Sequence, residues 1–109
     1  MRLRERDKRT LTVFQPQESA LSEDTFAWGE SRAIRAAIYP AGRELDGQIY
    51  GERINDMRMM LYEGAMLLEV GMGVCVEATD GIPDYRIIRI EKWAHTRATL
   101  ERIPEGRRA

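Results

Sequence analysis

Arg32-Ala33-Ile34-Arg35-Ala36-Ala37-Ile38-Tyr39-Pro40 carries the clearest strand signal in the chain. Ile34, Ala36 and Ile38 recur at period two, with Arg35, Ala37 and Tyr39 on the opposite parity. That alternation belongs to a strand with one face turned toward a core. Pro40 ends it, because a residue without an N–H cannot extend the ladder. Further on, Met57, Met59 and Leu61 alternate with Arg58, Met60 and Tyr62, which predicts a second strand closing at a Glu63-Gly64 turn. A helix competes for the same residues. Ile54, Met57, Leu61, Ala65 and Leu68 also stand at helical spacing, and Met, Leu, Arg, Ala and Glu are good helix formers. Gly64 in the middle of such a helix costs about 1 kcal/mol relative to Ala, so the strand is preferred. Between the two strands lie residues 41–56, polar and holding Gly47 and Gly51. Connections within compact domains take about 4 to 6 residues, and longer ones tend to be functional.

Working outward, Leu11-Thr12-Val13-Phe14-Gln15 is β-branched and aromatic and reads as a strand closed by Pro16. Before it, residues 1–9 form a basic arm in which Arg2, Arg4, Arg6 and Arg9 are interleaved with Leu3, Glu5 and Asp7. Extended, such an arm would present its charges on one side, either as a solvated strand edge, the preferred reading, or as a nucleic-acid contact. Residues 17–25 are rich in Glu, Ser and Asp without a hydrophobic period and read as a loop, after which Phe26-Ala27-Trp28 restarts order. On the C-terminal side, residues 71–77 read as a strand and Asp80-Gly81 as a turn. Tyr85-Arg86-Ile87-Ile88-Arg89-Ile90-Glu91 is the most β-branched segment, with a slip in alternation at Ile87 and Ile88 that a bulge explains. Residues 98–103 complete the set before Pro104 and a polar tail over 104–109. The fold class predicted is mainly β: a small antiparallel barrel or sandwich of five to six strands, with one long inserted loop and room for one short helix.

The 109 residues suit one domain, able to bury roughly two thirds of its unfolded surface without staples. A 43% hydrophobic and 32% charged composition is that of a globular protein, and its mixed charge of 17 basic and 18 acidic residues suits partners met through complementarity. Net charge −1 supplies no global pull on nucleic acid. With Cys75 as the only cysteine, no disulfide forms within the chain, in keeping with a reducing cytoplasm. The charged first ten residues argue against a signal peptide, and the longest apolar run, residues 65–68, against a spanning helix.

Catalytic chemistry finds little support. One histidine and one cysteine cannot build a Cys/His zinc site. A Cys75–His95 dyad competes with the commoner case of an inert cysteine buried between Val74 and Val76. Gly71-Met72-Gly73 lacks the Gly-Lys-Ser/Thr of a phosphate loop and reads as a strand start. The carboxylates Glu44, Asp46, Glu52 and Asp56 become a catalytic pair only if burial separates their pKa values. Met57, Met59, Met60 and Met66 are core fillers before they are a docking surface, and Trp28 and Trp93 are equally core aromatics or interface anchors. No enzyme, cofactor or metal is expected.

The order of features is more telling. A strand over Thr10 to Gln15 is followed by a variable loop and Trp28, then by Ala36-Ala37-Ile38-Tyr39-Pro40-Ala41-Gly42-Arg43-Glu44, a strand ending in a proline turn with an acid soon after. A long polar loop over residues 45–55 leads into Asp56-Met57-Arg58-Met59-Met60-Leu61-Tyr62, and Tyr85-Arg86-Ile87 opens a later strand. In this order, over roughly residues 8–103, the chain resembles the head-tail joining family of tailed bacteriophages, the small stopper or head-closure proteins that cap the portal assembly. It departs from that pattern between Glu63 and Gly73, where residues 65–70 read as an extra helical turn or extension.

The resemblance implies a small β-barrel assembled as a homo-oligomeric, dodecameric ring in the virion neck, built in the host cytoplasm. The portal or an adaptor would lie on its head side and a tail terminator or tail protein on the other. Such a ring closes the DNA exit channel after packaging, offers a platform for the tail and opens at ejection, with double-stranded DNA passing without sequence specificity and no membrane involved. The family's channel-facing loop falls here on residues 43–55, including Arg43, Glu44, Leu45, Asp46, Gly47, Gln48, Ile49, Tyr50, Gly51 and Glu52. Gly47 and Gly51 permit a hinge, Ile49 and Tyr50 a constriction, and Glu44, Asp46 and Glu52 an acidic lining that lets DNA slide. In a ring, Arg2, Arg4, Arg6 and Arg9 of one copy could pair with Glu18, Glu23 and Asp24 of the next. The alternatives are another neck component, adaptor or tail terminator, and an OB-like nucleic-acid-binding barrel using exposed aromatics.

Overall fold

The computed structural model describes residues 4–16, 28–40, 56–92 and 95–105. A 3-10 turn over Glu5–Asp7 leads into six strands: β1 (Arg9–Pro16), β2 (Trp28–Pro40), β3 (Met57–Tyr62), β4 (Gly73–Cys75), β5 (Tyr85–Lys92) and β6 (Thr96–Arg102). They close into a barrel in the order β1-β2-β3-β6-β5-β4, every pair antiparallel. Two three-stranded meanders are joined by the β3–β6 and β1–β4 ladders. Closure removes the exposed strand edge at which sheets otherwise add strands from other chains.

The inner face is the set of alternating apolar positions. Leu11 pairs with Ile34, Ile38 with Met60, Met60 with Ala98, and Ile87 with Leu100, so the same parity from each strand meets inside. Each fully buried aliphatic side chain contributes about 1.5 to 3 kcal/mol. The contest between strand and helix at residues 57–62 is settled by ladders on both sides, to β2 and to β6. Ile54 and Asn55 lie outside the described residues.

Of the two expectations for residues 65–70, a helical turn or an extension, the helical turn is corrected, since no helix forms over residues 63–72. The segment instead crosses the barrel end from β3 to β4, burying Leu68 and Met72 in the core with Met66 packed against them. Its exit is tied to β5, where the Gly71 N–H donates to the Ile87 carbonyl at 2.8 Å and the Ile87 N–H to the Met72 carbonyl at 2.9 Å. The strand expected over residues 71–77 is therefore only Gly73–Cys75. The slip in β5 is a bulge: pairing with β6 shifts between Ile87 and Arg89, and Ile90 returns to the inner face opposite Ala98. Gly81 occupies the turn with φ +79°, and the Asp80 carboxylate accepts from the Ile82 N–H at 3.0 Å.

Trp28 opens β2 and lies partly buried over Gly73. A Cβ on Gly73 would sit 2.8 Å from Trp28 Cζ3 and from Pro83 Cβ and Cγ. Gly73→Ala is expected to cost about 1 to 3 kcal/mol through overpacking, read as a lower urea midpoint. An unchanged midpoint would show that Trp28 and Pro83 move aside freely. Trp93 lies outside the described residues.

Over residues 4–9 the basic arm is not a one-sided extended ladder. The 3-10 turn folds it onto the outside of β2, where Glu5 Oε1 meets Arg35 Nη2 at 3.4 Å, and Lys8 Nζ meets Glu5 Oε2 at 3.3 Å and Glu63 Oε1 at 3.0 Å. The Lys8 ammonium, then Arg35, holds the Glu5 carboxyl below the usual glutamate range, while Glu63, then Glu5, raises Lys8 above its ordinary value. A depressed carboxylate contributes only above its unfolded pKa and loses that contribution as pH falls through the folded one. The arm is therefore expected to loosen in acid below the ordinary glutamate range while the barrel stays folded, seen as movement of the Glu5 and Lys8 NMR signals alone. Signals that hold until global unfolding would contradict this. The raised Lys8 loses its contribution only in strong alkali, as pH climbs through its folded value.

Candidate functional site

Pro40 at the end of β2 and Arg58 near the start of β3 are cross-strand partners. The end of β2 and the start of β3 are therefore adjacent, with residues 41–56 joining them in the sequence. A two-stranded hairpin needs only about 2 to 5 residues at such a place. The barrel end that carries Pro40 and Arg58 is the candidate site.

Around it stands a polar cluster. Arg58 shares the inner parity of Met60 and Tyr62, and its partner on β6, Leu100, is fully buried. Its guanidinium lies 5.8 Å from the Tyr85 ring centroid, and that of Arg102 lies 5.6 Å from the same centroid. Stacking of a cation on an aromatic ring contributes about 0.5 to 2 kcal/mol, depending on exposure. The Tyr85 ring is fully buried, while its hydroxyl donates to Glu77 Oε1 at 3.2 Å and accepts from Arg102 Nη2 at 3.5 Å. Arg102 also meets Glu77 Oε1 at 3.0 Å. Hydrogen bonding to Tyr85 and then the charge of Glu77 raise the Arg102 pKa, so the guanidinium stays charged. Arg9, on the inner parity of Leu11 and Val13, donates to the Val76 carbonyl.

Asp84 holds this end together. Nearly buried, its carboxylate accepts from the Val76 N–H at 2.8 Å and the Glu77 N–H at 2.9 Å, and its own carbonyl accepts from the Ile103 N–H at 2.8 Å. One residue thus fastens the end of β4, the start of β5 and the chain beyond β6, beside a depression of about 220 Å³. Chemically this is a fixed cationic and aromatic platform whose groups bind one another. It suits holding a long insertion at its base.

Of the residues singled out in the sequence, Arg43 to Glu52 and Arg2, Glu18, Glu23 and Asp24 lie outside the described residues. Arg4 and Arg6 are exposed, and Arg9 belongs to β1. Asp56, at the foot of β3, is exposed. Cys75 departs from expectation: it is half-buried on the outer face opposite Thr12, not enclosed in the core. His95 follows β5, whose other end pairs with β4, so the eight-residue length of β5 separates it from Cys75 and no dyad forms. Met57, Met59 and Met60 are buried and Met66 is packed on the core, which agrees with their reading as packing residues. Met59 Sδ also accepts from Arg97 Nε at 3.1 Å. Asp84, Tyr85, Glu77 and Arg102 were not anticipated. Arg58 and Arg102 carried one signal, a charge on the inner parity of an apolar strand, and Asp84 carried none.

Among the described residues, no group of three or more His, Cys, Asp or Glu side chains is placed to hold a metal ion, and no helix is long and apolar enough to cross a membrane. No protein-family model, no curated protein and no solved structure matches the chain.

Proposed function

We propose that this chain is a structural protein of the phage neck. Its copies form a ring below the portal or adaptor, close the DNA exit channel after packaging and give the tail its attachment platform. The observation that carries the proposal is that β2 and β3, the strands flanking residues 41–56 in the sequence, pair up to Pro40 and Arg58 on a closed barrel. A mechanical gate needs a long insertion on a base that does not give, and the Asp84 and Tyr85 cluster supplies that base. Residues 43–52 are the channel-facing part, with Glu44, Asp46 and Glu52 discouraging adhesion of DNA and Gly47 and Gly51 serving as hinges.

Two further features support it. The order of the strands suits this reading, with Trp28 opening β2, Pro40 closing it and Tyr85-Arg86-Ile87 opening β5. A barrel without an open edge also associates through faces, which suits a closed ring better than strand-to-strand polymerisation. The OB-like alternative fits less well. That barrel is five-stranded and partly open, whereas this one has six strands and is closed, and Tyr39 is the only exposed large aromatic among the described residues.

The test is genetic. A phage carrying a stop codon early in this reading frame should yield filled heads that lose DNA, together with free, unattached tails. Normal infectious particles, or purified virions lacking the polypeptide, would overturn the proposal. Salt-dependent binding of the purified protein to a labelled oligonucleotide would favour the OB-like alternative.

A further inference from the structure

At the far end of β2 from Pro40, a groove of about 380 Å³ runs between the β1–β2 ladder and the crossing segment, with Phe14, Met66, Leu67 and Met72 in its lining. Leu67 and nearby Val70 are each 59% exposed, the most exposed large aliphatic side chains among the described residues. Covering the two side chains would remove apolar surface from water, a gain open to any partner seated there. The rim is acidic: Glu30 and Glu69 line it with Arg32, and neither carboxylate has an ion-pair partner among the described residues. The same chain carries the matching charge. Arg4 and Arg6 are exposed on the arm, and they too have no ion-pair partner among the described residues.

We infer that this groove is the docking site for a second copy of the chain, receiving the neighbour's Arg4 and Arg6 against Glu30 and Glu69 while Leu67 and Val70 are covered. Groove and arm are different patches, so the contact is head-to-tail and closes into a ring when the rotation allows. Complementary charge sets register and encounter rate, and the covering of Leu67 and Val70 supplies affinity. This docking deepens the ring assignment and rests on it for the identity of the occupant.

The test follows the mass of the full-length protein by light scattering across a concentration series. Leu67→Glu with Val70→Glu, Arg4→Glu with Arg6→Glu, and Glu30→Arg with Glu69→Arg should each raise the concentration needed for assembly at least about tenfold. All these side chains are exposed, so each variant should melt like the parent. An equimolar mixture of the arm-reversed and groove-reversed proteins should assemble although neither does so alone, which a contact within one chain cannot produce. If both charge-reversed proteins assemble like the parent, the groove is not the contact and the ring proposal stands. If the unmodified protein stays monomeric throughout, groove and ring both fall.

Discussion

Asp84→Ala should destabilise the protein by about 3 kcal/mol or more, one of the largest effects expected of any polar substitution here. The carboxylate accepts two backbone N–H groups, at 2.8 and 2.9 Å, from a residue only 9% exposed. Alanine leaves both donors without a partner where water has little access, and each orphaned buried donor costs about 1 to 3 kcal/mol. Bonds to an ionised acceptor fall at the stronger end of that range. Asp84→Asn keeps one good acceptor and should lose roughly half as much. Urea denaturation reads both, as a fall in midpoint at constant slope. A loss below about 1 kcal/mol for the alanine variant would show that the β4 end is held by something other than this carboxylate.

Leu100→Ala should cost about 2 to 5 kcal/mol, whereas Leu67→Ala should change stability by less than about 0.5 kcal/mol. The two substitutions remove the same atoms. Leu100 is fully enclosed, facing Ile87 and Arg58 across its two ladders, and Leu67 is 59% exposed on the crossing segment. The difference therefore measures register: a one-residue slip of β6 would turn Leu100 outward and Thr99 and Glu101 inward. Equal small losses would mean that β6 is not in the register described.

Much of the barrel could be read from alternation. Ile34, Ala36 and Ile38 point inward as their spacing implies, and the doubled isoleucine at 87 and 88 marks a true bulge. The helix-forming composition of residues 57–62 left that segment open, and what decided it was tertiary: β3 bonds to neighbours on both sides, which no local signal contains. For the same reason β2 runs back to Trp28 through the polar Gly29-Glu30-Ser31-Arg32, drawn into the sheet by β1 partners such as Val13 and Phe14. Residues 65–70 looked helical because Ala, Met, Leu and Glu are good helix formers. Their work is to carry Leu68 across a barrel end, and burial there outweighs helix propensity.

The candidate site was legible only in outline. The length of the connection after Pro40 was visible at once, but its root was not, because Asp84 looks like any other carboxylate until the fold brings the Val76 and Glu77 amides to it. The arm illustrates the opposite failure: alternating arginines suggest an extended ladder, and a single 3-10 turn held by Glu5, Lys8 and Glu63 breaks it.

Single-particle imaging of the purified full-length protein, averaged without imposed symmetry, bears on the whole account. It should show closed rings of identical barrels, with the barrel end carrying the Pro40–Arg58 root turned toward the lumen. Isolated barrels at every concentration, or rings with that end facing outward, would contradict it.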